Sequence, residues 1–156
     1  MKIRLYILFV VLVLSAVFFA TPQRVQAMLG ASVDSVESDR KALSASRSAM
    51  AVHNGYTVHE IDSGSTVVRE YVSSSGIVFG IAWNGLTHPD LDQLLGSYAG
   101  EYREASRQTP RIKGRRSLQV EASGVVVEKW GHMRNLQGRA YAPTLIPSGV
   151  NVDEIK

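Results

Sequence analysis

The run from Ile77 to Trp83 restricts the fold of this chain more than any other feature, because it contains no polar side chain. Bulky residues alternate along it with small ones: Ile77, Phe79, Ile81 and Trp83 are separated by Val78, Gly80 and Ala82. Such alternation predicts a strand with one bulky face and one small apolar face, both of them buried. The rest of the chain therefore has to cover this strand from two sides.

Five further segments have the composition of strands. Tyr56 to Ile61 and Thr66 to Val72 precede the central run and, with it, predict a three-stranded antiparallel meander joined by Ser- and Gly-containing turns. A second group of two or three strands follows later, over Leu118 to Ala122, Val125 to Trp130 and Met133 to Tyr141. The tail after Tyr141 contains Pro and Gly and is predicted to be mostly irregular.

Two segments have helical patterns. The first, Ala31 to Ser48, has Asp34 and Glu37 at the spacing of a capping box. The second begins at Thr87, with Pro89 in its first turn, and ends at Pro110. Its apolar residues recur at helical spacing: Leu91, Leu94, Leu95, Tyr98, Tyr102 and Ala105.

The order of these elements predicts an α+β fold, in which one antiparallel sheet is covered by two helices. We expect the second helix to pack on the small face of the central strand, around Gly80 and Ala82, where missing side chains permit close approach. A chain of 156 residues with 45% apolar content is large enough for one such domain.

The first 27 residues have the composition of an export signal. Lys2 and Arg4 precede an apolar run from Leu5 to Ala20, and Val25 and Ala27 are the small residues that a signal peptidase requires at the third and first positions before its cut. These features predict a cleavable signal peptide over 1–27, cut after Ala27, and a single globular domain over 28–156. A retained membrane anchor is the alternative, although the apolar run is shorter than the roughly 20 residues that cross a bilayer.

Removal of the signal peptide changes the charge balance. The whole chain has 17 Lys and Arg against 14 Asp and Glu, and three of the cations, Lys2, Arg4 and Arg24, lie in the signal. The remaining domain is therefore neutral overall, which argues against nucleic acid as a partner. Because the chain has no cysteine, disulfides and thiolate metal ligands are excluded, and the fold must depend on its apolar core.

Catalytic motifs are weak in this sequence. Residues 62–65, Asp-Ser-Gly-Ser, have the form found in aspartic proteases, but those enzymes need two such carboxylates, and Asp and Gly between two strands predict a hairpin turn. The four histidines show no metal-ligand spacing, so neither a metal nor a cofactor is predicted. The enzyme alternative is a small hydrolase or metal-dependent enzyme that uses His59, Glu60 or His132 with an acidic residue brought close by folding, and clustering of these side chains in a pocket would favour it.

Two groups of residues are candidates for contact with a partner. One is a basic segment after the second helix, which would attract an anionic surface: Arg107, Arg111, Lys113, Arg115 and Arg116. The other is a polar and aromatic group: His132, Arg134, Arg139 and Tyr141.

These groups favour a non-enzymatic binding or accessory module, whose partner would be an envelope component: a protein, a glycan or a lipid. No stable membrane span is expected after cleavage of the signal. A further alternative is a subunit or chaperone-like partner of an exported polymer, for which a free sheet edge would be the sign.

Several short segments, spread over the whole mature chain, carry a family resemblance. They are Leu29-Gly30, Gly55 to Ile61, Val68 to Val72, Gly131 to Arg134, Gly138 to Tyr141 with Pro143, and Pro147 to Val150. Together they resemble a family of small exported proteins of Gram-negative bacteria that is classed only as a domain of unknown function. The resemblance implies a periplasmic or secreted protein and brings no activity, cofactor or catalytic residue with it.

Overall fold

The computed structural model describes residues 28–32, 47–110 and 112–156, and its main element is one antiparallel sheet. Its seven strands, in chain order, are Arg47–His53 (β1), Tyr56–Asp62 (β2), Thr66–Ser73 (β3), Val78–Gly85 (β4), Ser117–Glu121 (β5), Val126–His132 (β6) and Asn135–Tyr141 (β7). Their order across the sheet is β1-β2-β3-β4-β7-β6-β5. Strand β4 therefore lies at the centre, with three strands on each side.

A single helical segment connects β4 to β5. It consists of helix α1 (Leu91–Leu95), a 3-10 turn (Gly96–Tyr98) and helix α2 (Ala99–Gln108). The Asp90 carboxylate caps α1 by accepting hydrogen bonds from the backbone N–H groups of Asp92 and Gln93. The helix begins later than the predicted start at Thr87, because the Thr87 carbonyl and hydroxyl oxygens contact the Thr66 hydroxyl instead.

The predicted α+β fold with two helices covering the sheet is wrong, because the described residues are mostly β and have one helical segment. The predicted first helix, Ala31 to Ser48, falls mainly on residues outside those described. At its ends, Ser32 forms a bridge with Ile77, and Arg47 and Ser48 belong to β1.

Pairing of β1 with β2 overrides the helical pattern at this point in the chain. The two strands form a hairpin across Asn54 and Gly55, and Gly55 has the positive φ of 90° that this turn requires. An Asn-Gly pair between apolar segments is a strong hairpin signal, so the sequence did contain a clue to β1. The six predicted strand segments agree with β2 to β7 to within two residues at each end.

Strand β4 is buried on both faces, as predicted, but a β-bulge changes which residues share a face. Val72 of β3 pairs with Val78, and Tyr71 pairs with Gly80, so Phe79 is an extra residue on β4. A bulge of this kind shifts the alternation of the strand by one residue. The predicted bulky face that joined Phe79 to Ile81 and Trp83 is therefore wrong.

One face of the sheet carries the helix-side core, where α1 and α2 pack. Its buried residues are Leu29, Val72, Val78, Ile81, Trp83, Leu95, Ala99, Tyr102, Val120, Val125, Val127, Ala140 and Ala142. The helical segment thus packs on the face that bears Ile81 and Trp83. The prediction that it packs around Gly80 and Ala82 is wrong, since the end of the chain covers those two residues.

The opposite face carries the tail-side core, formed by Tyr56, Tyr71, Phe79, Ala82 and Ile155. Ile155 is fully buried, and a Cβ atom built on Gly80 would lie 2.8 Å from its Cδ1 atom. The missing side chain at Gly80 therefore permits close approach, as the sequence predicted, but to the tail rather than to a helix. The tail itself is mostly irregular, with short 3-10 turns at Pro143–Leu145 and Val152–Glu154.

Replacement of Gly138 by Ala should destabilise the protein. Gly138 of β7 pairs with Trp83, and a Cβ atom there would overlap the Trp83 ring and lie 2.6 Å from the Glu128 carbonyl oxygen. We expect the free energy of unfolding to fall by about 1–3 kcal/mol, measured by urea denaturation. Gly100→Ala is the control, because Gly100 is exposed on α2 with no atom near its Cβ position, and it should raise stability by up to about 1 kcal/mol. Equal stability of the Gly138→Ala variant and the wild type would contradict this packing.

Candidate functional site

A cleft of about 760 Å³ lies between the loop that follows α2 and the strands β5, β6 and β7. Its charged lining residues are three cations, Arg115, Arg116 and Lys129, and one acid, Glu121. We call it the basic cleft. Its volume is within the range of about 300–1,000 Å³ that is typical of ligand sites.

The loop beside the basic cleft is shaped by the end of α2. The Thr109 backbone N–H and hydroxyl both donate to the Ala105 carbonyl, and Pro110 follows, which cannot continue the helix. Gly114 then adopts a positive φ of 85°, and the Arg115 N–H donates to the Ile112 carbonyl. This turn directs the chain into β5 and leaves Arg115 exposed where the strand begins.

Lys129 is the most constrained of the three cations. It lies on β6 two residues after the buried Val127, so its side chain points to the helix side of the sheet. The Nζ atom donates to the Tyr102 hydroxyl at 2.7 Å and lies 5.4 Å from the centre of that ring. Helix α2 therefore holds the ammonium group at the wall of the cleft.

His88 lines the cleft and is connected to the core. Its Nδ1 atom accepts a hydrogen bond of 3.0 Å from Nε1–H of the buried Trp83, and the two rings meet edge to face. Desolvation, and to a smaller extent the Lys129 charge, lower the pKa of His88 below 6.5. Because Nδ1 is an acceptor, the proton of the neutral ring is on Nε2, which is left to donate to a ligand.

Trp130 and Ser117 also border the basic cleft, but their side chains lie on the tail side of the sheet, because residues alternate along a strand and Trp130 follows Lys129. Trp130 is half-buried, and its Nε1–H donates to the Gln137 amide oxygen at 3.1 Å. Ser117 pairs with Trp130 across β5 and β6, and the Ser117 hydroxyl accepts from Arg115 Nε at 3.3 Å.

The structure divides the predicted basic segment. Arg115 and Arg116 line the basic cleft, and Lys113 is exposed but does not line it. Arg107 lies on α2, where it is near Glu104. Arg111 lies outside the described residues.

The predicted polar and aromatic group is not brought together at one site. His132 and Arg134 are exposed at the β6–β7 hairpin, where Arg134 has an unusual positive φ of 66°. Arg139 and Tyr141 lie further along β7, and the Arg139 guanidinium is 5.9 Å from the centre of the Tyr141 ring. Burial, more than neighbouring charge, raises the pKa of Tyr141.

Arg139 makes internal contacts that hold the tail on the sheet. Its Nε donates to the Glu128 carboxylate at 2.7 Å, and its Nη1 donates to the Val152 carbonyl at 2.9 Å. Only 16% of its side chain is exposed. These contacts stabilise the fold and leave little of the guanidinium for a partner.

The residues of the enzyme alternative also lie apart. His59 and Glu60 are on β2, whereas His132 ends β6, and strands β3, β4 and β7 lie between them. Glu60 is bound by Arg69 at 2.8 Å. Among residues 28–32, 47–110 and 112–156, no three His, Asp or Glu side chains are close enough to hold a metal ion.

The protease-like segment at 62–65 is a hairpin turn, as predicted. The Asp62 carboxylate accepts from the Gly64 backbone N–H at 2.7 Å, and Gly64 has a positive φ of 82°. Its carboxylate thus stabilises the turn between β2 and β3.

A second cleft, of about 340 Å³, lies on the tail side beside Tyr56 and Tyr71. The Tyr56 hydroxyl donates to Glu154 at 2.8 Å, and burial together with this bond raises the pKa of Tyr56 to about 12. The Asn151 N–H and the Tyr56 hydroxyl lower the pKa of Glu154. Because its polar groups bind one another, this cleft is a weaker candidate than the basic cleft.

Sequence reasoning missed two residues of the basic cleft: His88 and Lys129. A signal for Lys129 was present, because it follows Val125 and Val127 at the core-facing positions of one strand. A cation at such a position requires a partner or a solvent-filled cleft. No comparable signal marked His88, which the strand pairing brings near Lys129.

These features define a small, mostly β domain with a basic cleft at one end of its sheet. The chain belongs to the family described as "Protein of unknown function (DUF2844)", whose model matches residues 25–155. The resemblance predicted from the sequence is thereby confirmed. No curated protein and no solved structure matches the chain. Within the described part of the chain, no helix has the length and apolar character to cross a membrane.

Loss of the Arg139 guanidinium should loosen the tail. In Arg139→Gln, Glu128 loses its partner and the Val152 carbonyl loses a donor. We therefore expect the free energy of unfolding, measured by urea denaturation, to fall by about 1–3 kcal/mol. Arg69→Gln is the matched control, because the ion pair of Arg69 with Glu60 is more exposed. This substitution should lower the free energy of unfolding by less than about 1 kcal/mol. Equal losses in the two variants would contradict a special role for Arg139.

Acidification should break the hydrogen bond between Trp83 and His88. Protonation turns Nδ1 of His88 into a donor, so the fluorescence of Trp83, measured in a Trp130→Phe background, should change with a midpoint below pH 6.5. Since the unfolded chain binds this proton more readily, the contribution of His88 to stability is present above pH 6.5 and is lost as the pH falls through the lowered pKa. The fluorescence change should be absent from His88→Gln. A midpoint at or above 6.5 would refute the assignment.

Proposed function

We propose that the protein is an exported, non-enzymatic binding module that uses its basic cleft to hold a component of the bacterial envelope. The observation that carries this proposal is the concentration of positive charge in one concave site. The cleft is lined by three cations, Arg115, Arg116 and Lys129, and by one acidic residue, Glu121. The domain after residue 27, by contrast, is neutral overall. Such a local excess attracts anionic groups even when the average charge does not.

The pattern at the N-terminus supports export to the periplasm or beyond. Residues that follow the predicted cleavage point are part of the folded domain: Leu29 is 1% exposed in the helix-side core, and its N–H donates to the Leu94 carbonyl at 2.9 Å. The Gly30 N–H donates in turn to Val78 of the central strand. Cleavage after Ala27 would therefore leave every one of these contacts in place.

A binding role agrees better with the geometry than the enzyme alternative does. General acid–base chemistry requires the participating groups within hydrogen-bond reach of one substrate. His59 and Glu60 are separated from His132 by three intervening strands, so they cannot act on the same reacting atoms. In the basic cleft, His88 is a neutral donor whose other nitrogen is occupied by Trp83.

Site-specific photo-cross-linking in the native host tests the proposal. A benzoylphenylalanine introduced in place of Ile112, which is 60% exposed and lines the cleft, should form an adduct with an envelope component in intact cells. The same group in place of Met133, which is 91% exposed and outside the cleft, is the control and should form none. The protein should be recovered from the periplasmic or secreted fraction with an intact mass that begins at Met28.

Two results would contradict the proposal. Equal adduct formation from both positions, or none from either, would remove the cleft as the binding surface. Recovery in the membrane with residues 1–27 attached would support the retained anchor instead of the cleaved signal.

A further inference from the structure

We infer that the basic cleft binds an extended segment of another polypeptide, which adds to the sheet as a further strand beside β5. This inference rests on the proposed binding function and specifies its ligand, because the partner would be a protein and not a glycan or a lipid. The observation that carries it is the position of the cleft at the open edge of β5.

Strand β5 ends the sheet. One of its edges pairs with β6, and no strand in the described part of the chain pairs with the other edge. The cleft is lined by residues from both faces of β5: the side chain of Leu118 points to the helix side, and those of Ser117 and Gln119 point to the tail side. A single concave site can contact both faces of a strand where it borders the edge of that strand. The cleft therefore extends along the open edge of β5.

The backbone of β5 directs hydrogen-bonding groups into this edge. At the turn between β5 and β6, the Ala122 N–H donates to the Val125 carbonyl at 2.9 Å, so Ala122 bonds towards β6. Bonded and non-bonded pairs alternate along a regular antiparallel ladder, so Val120 bonds towards β6 as well. The residues at the intervening positions direct their N–H and C=O groups away from β6 and into the cleft, and all three are exposed: Ser117, Gln119 and Glu121.

Backbone donors and acceptors at every second residue of an edge strand are the groups with which an extended peptide pairs. Strand β5 contains neither Pro nor Lys, and its register with β6 is regular, so the strand itself does not bend or block this edge. The Glu121 carboxylate at its end accepts from the Gln119 side chain at 2.8 Å on the tail side. The edge thus has the chemistry of a pairing site.

The two sides of the cleft define the side chains of the peptide. Alternate side chains of an added strand would face opposite sides of the sheet. On the helix side they would meet apolar residues, Leu118 and, from the end of α2, Pro110. On the tail side they would meet the polar side chains of Ser117 and Gln119. The segment would therefore alternate apolar and polar residues.

The charges give the peptide a direction. Arg115 and Arg116 are exposed where β5 begins, and Glu121 is exposed where it ends. A guanidinium group suits two-point contact with a carboxylate, so the acidic end of a peptide would lie beside the two arginines. Antiparallel pairing is the more stable kind and would continue the pattern of this sheet. It places the C-terminal end of the peptide beside Arg115, so we expect the acidic residues at that end.

Calorimetric titration with synthetic peptides tests the inference. The protein is produced with its own signal and purified from the cell fraction in which it is recovered. The probe is Thr-Val-Thr-Val-Thr-Asp-Asp, acetylated and amidated at its ends, and the control is the same composition in reversed order, Asp-Asp-Thr-Val-Thr-Val-Thr. We expect the probe to bind about tenfold or more tightly, because in antiparallel pairing only the probe places its carboxylates beside the arginines instead of Glu121.

Backbone methylation of the probe tests the pairing itself. In the predicted alignment, each Val faces the helix side and its N–H points away from β5, whereas each Thr pairs with an outward-directed residue such as Gln119. N-methylation of the second and third Thr should therefore weaken binding about tenfold or more. N-methylation of the two Val residues, which is the matched control, should leave the affinity of the probe nearly unchanged.

A pair of variants tests the same bond from the protein side. Gln119→Pro removes the outward-directed N–H, and Pro is tolerated at such a position of an edge strand. Gln119→Ala removes the side chain but retains the N–H, so the two variants differ in the backbone bond. We expect the Pro variant to bind the probe about tenfold or more weakly than the Ala variant. Circular dichroism verifies the fold, and the methylated peptides decide the question if the Pro variant does not fold.

Charge-matched double variants test the direction. Arg115→Gln/Arg116→Gln should remove the preference for the probe over its reversed order. The control is Arg103→Gln/Arg107→Gln, which removes two exposed cations of α2 that do not line the cleft, and it should retain the preference.

Several results would overturn the inference. The two methylated probes could bind equally, the Val-methylated probe could be the weaker one, or the probe and its reversed order could bind equally to the wild type. A glycan or a lipid in the photo-cross-linked adduct from position 112 would also overturn it. If neither peptide binds while that cross-link persists, the ligand class is wrong and the proposed function stands; if the cross-link is also absent, both fail.

Discussion

The contact between the Trp83 ring and Gly138 is the interaction on which the rest of this structure depends. Trp83 belongs to the central strand and is 2% exposed, and its ring lies where a side chain on Gly138 would otherwise be. Strand β7 can therefore pair with β4, which joins the two halves of the sheet. The same indole donates to His88, so the packing of the core also orients a group of the basic cleft.

Two different covers bury the faces of the central strand, and the β-bulge decides which residues each cover meets. Because Phe79 is an extra residue on β4, Phe79 turns to the tail side while Ile81 turns to the helix side. The tail-side cover consists of only a few residues around Ile155, and it depends on the glycine at position 80 and on Arg139 for its attachment. A short segment without regular structure can replace a helix here because the buried Ile155 side chain and the hydrogen bond from the Arg139 guanidinium hold it on the sheet.

The basic cleft illustrates how a neutral domain can present a strongly charged site. Its cations come from two separate parts of the chain, the start of β5 and the middle of β6, and antiparallel pairing places them side by side. The acidic residues are mostly elsewhere: Glu128 binds Arg139, Glu60 binds Arg69, and Glu101 accepts from the turn before β6. These acidic side chains are thus engaged away from the cleft, whose three cations share the lining with one acid, Glu121.

The sequence by itself determined the positions of strands β2 to β7, the burial of β4 on both faces, the hairpin turn at Gly64 and the family. These features depend on residues that are near one another in the chain, where alternation and turn preferences act directly. Only the tertiary structure decided the strand β1, the shift at Phe79, the covering of Gly80 by the tail, and the meeting of His88 with Lys129. The last two depend on contacts between segments far apart in the chain, whereas β1 and the shift at Phe79 depend on pairing with a neighbouring strand. In each case the free energy of these contacts can override local preference.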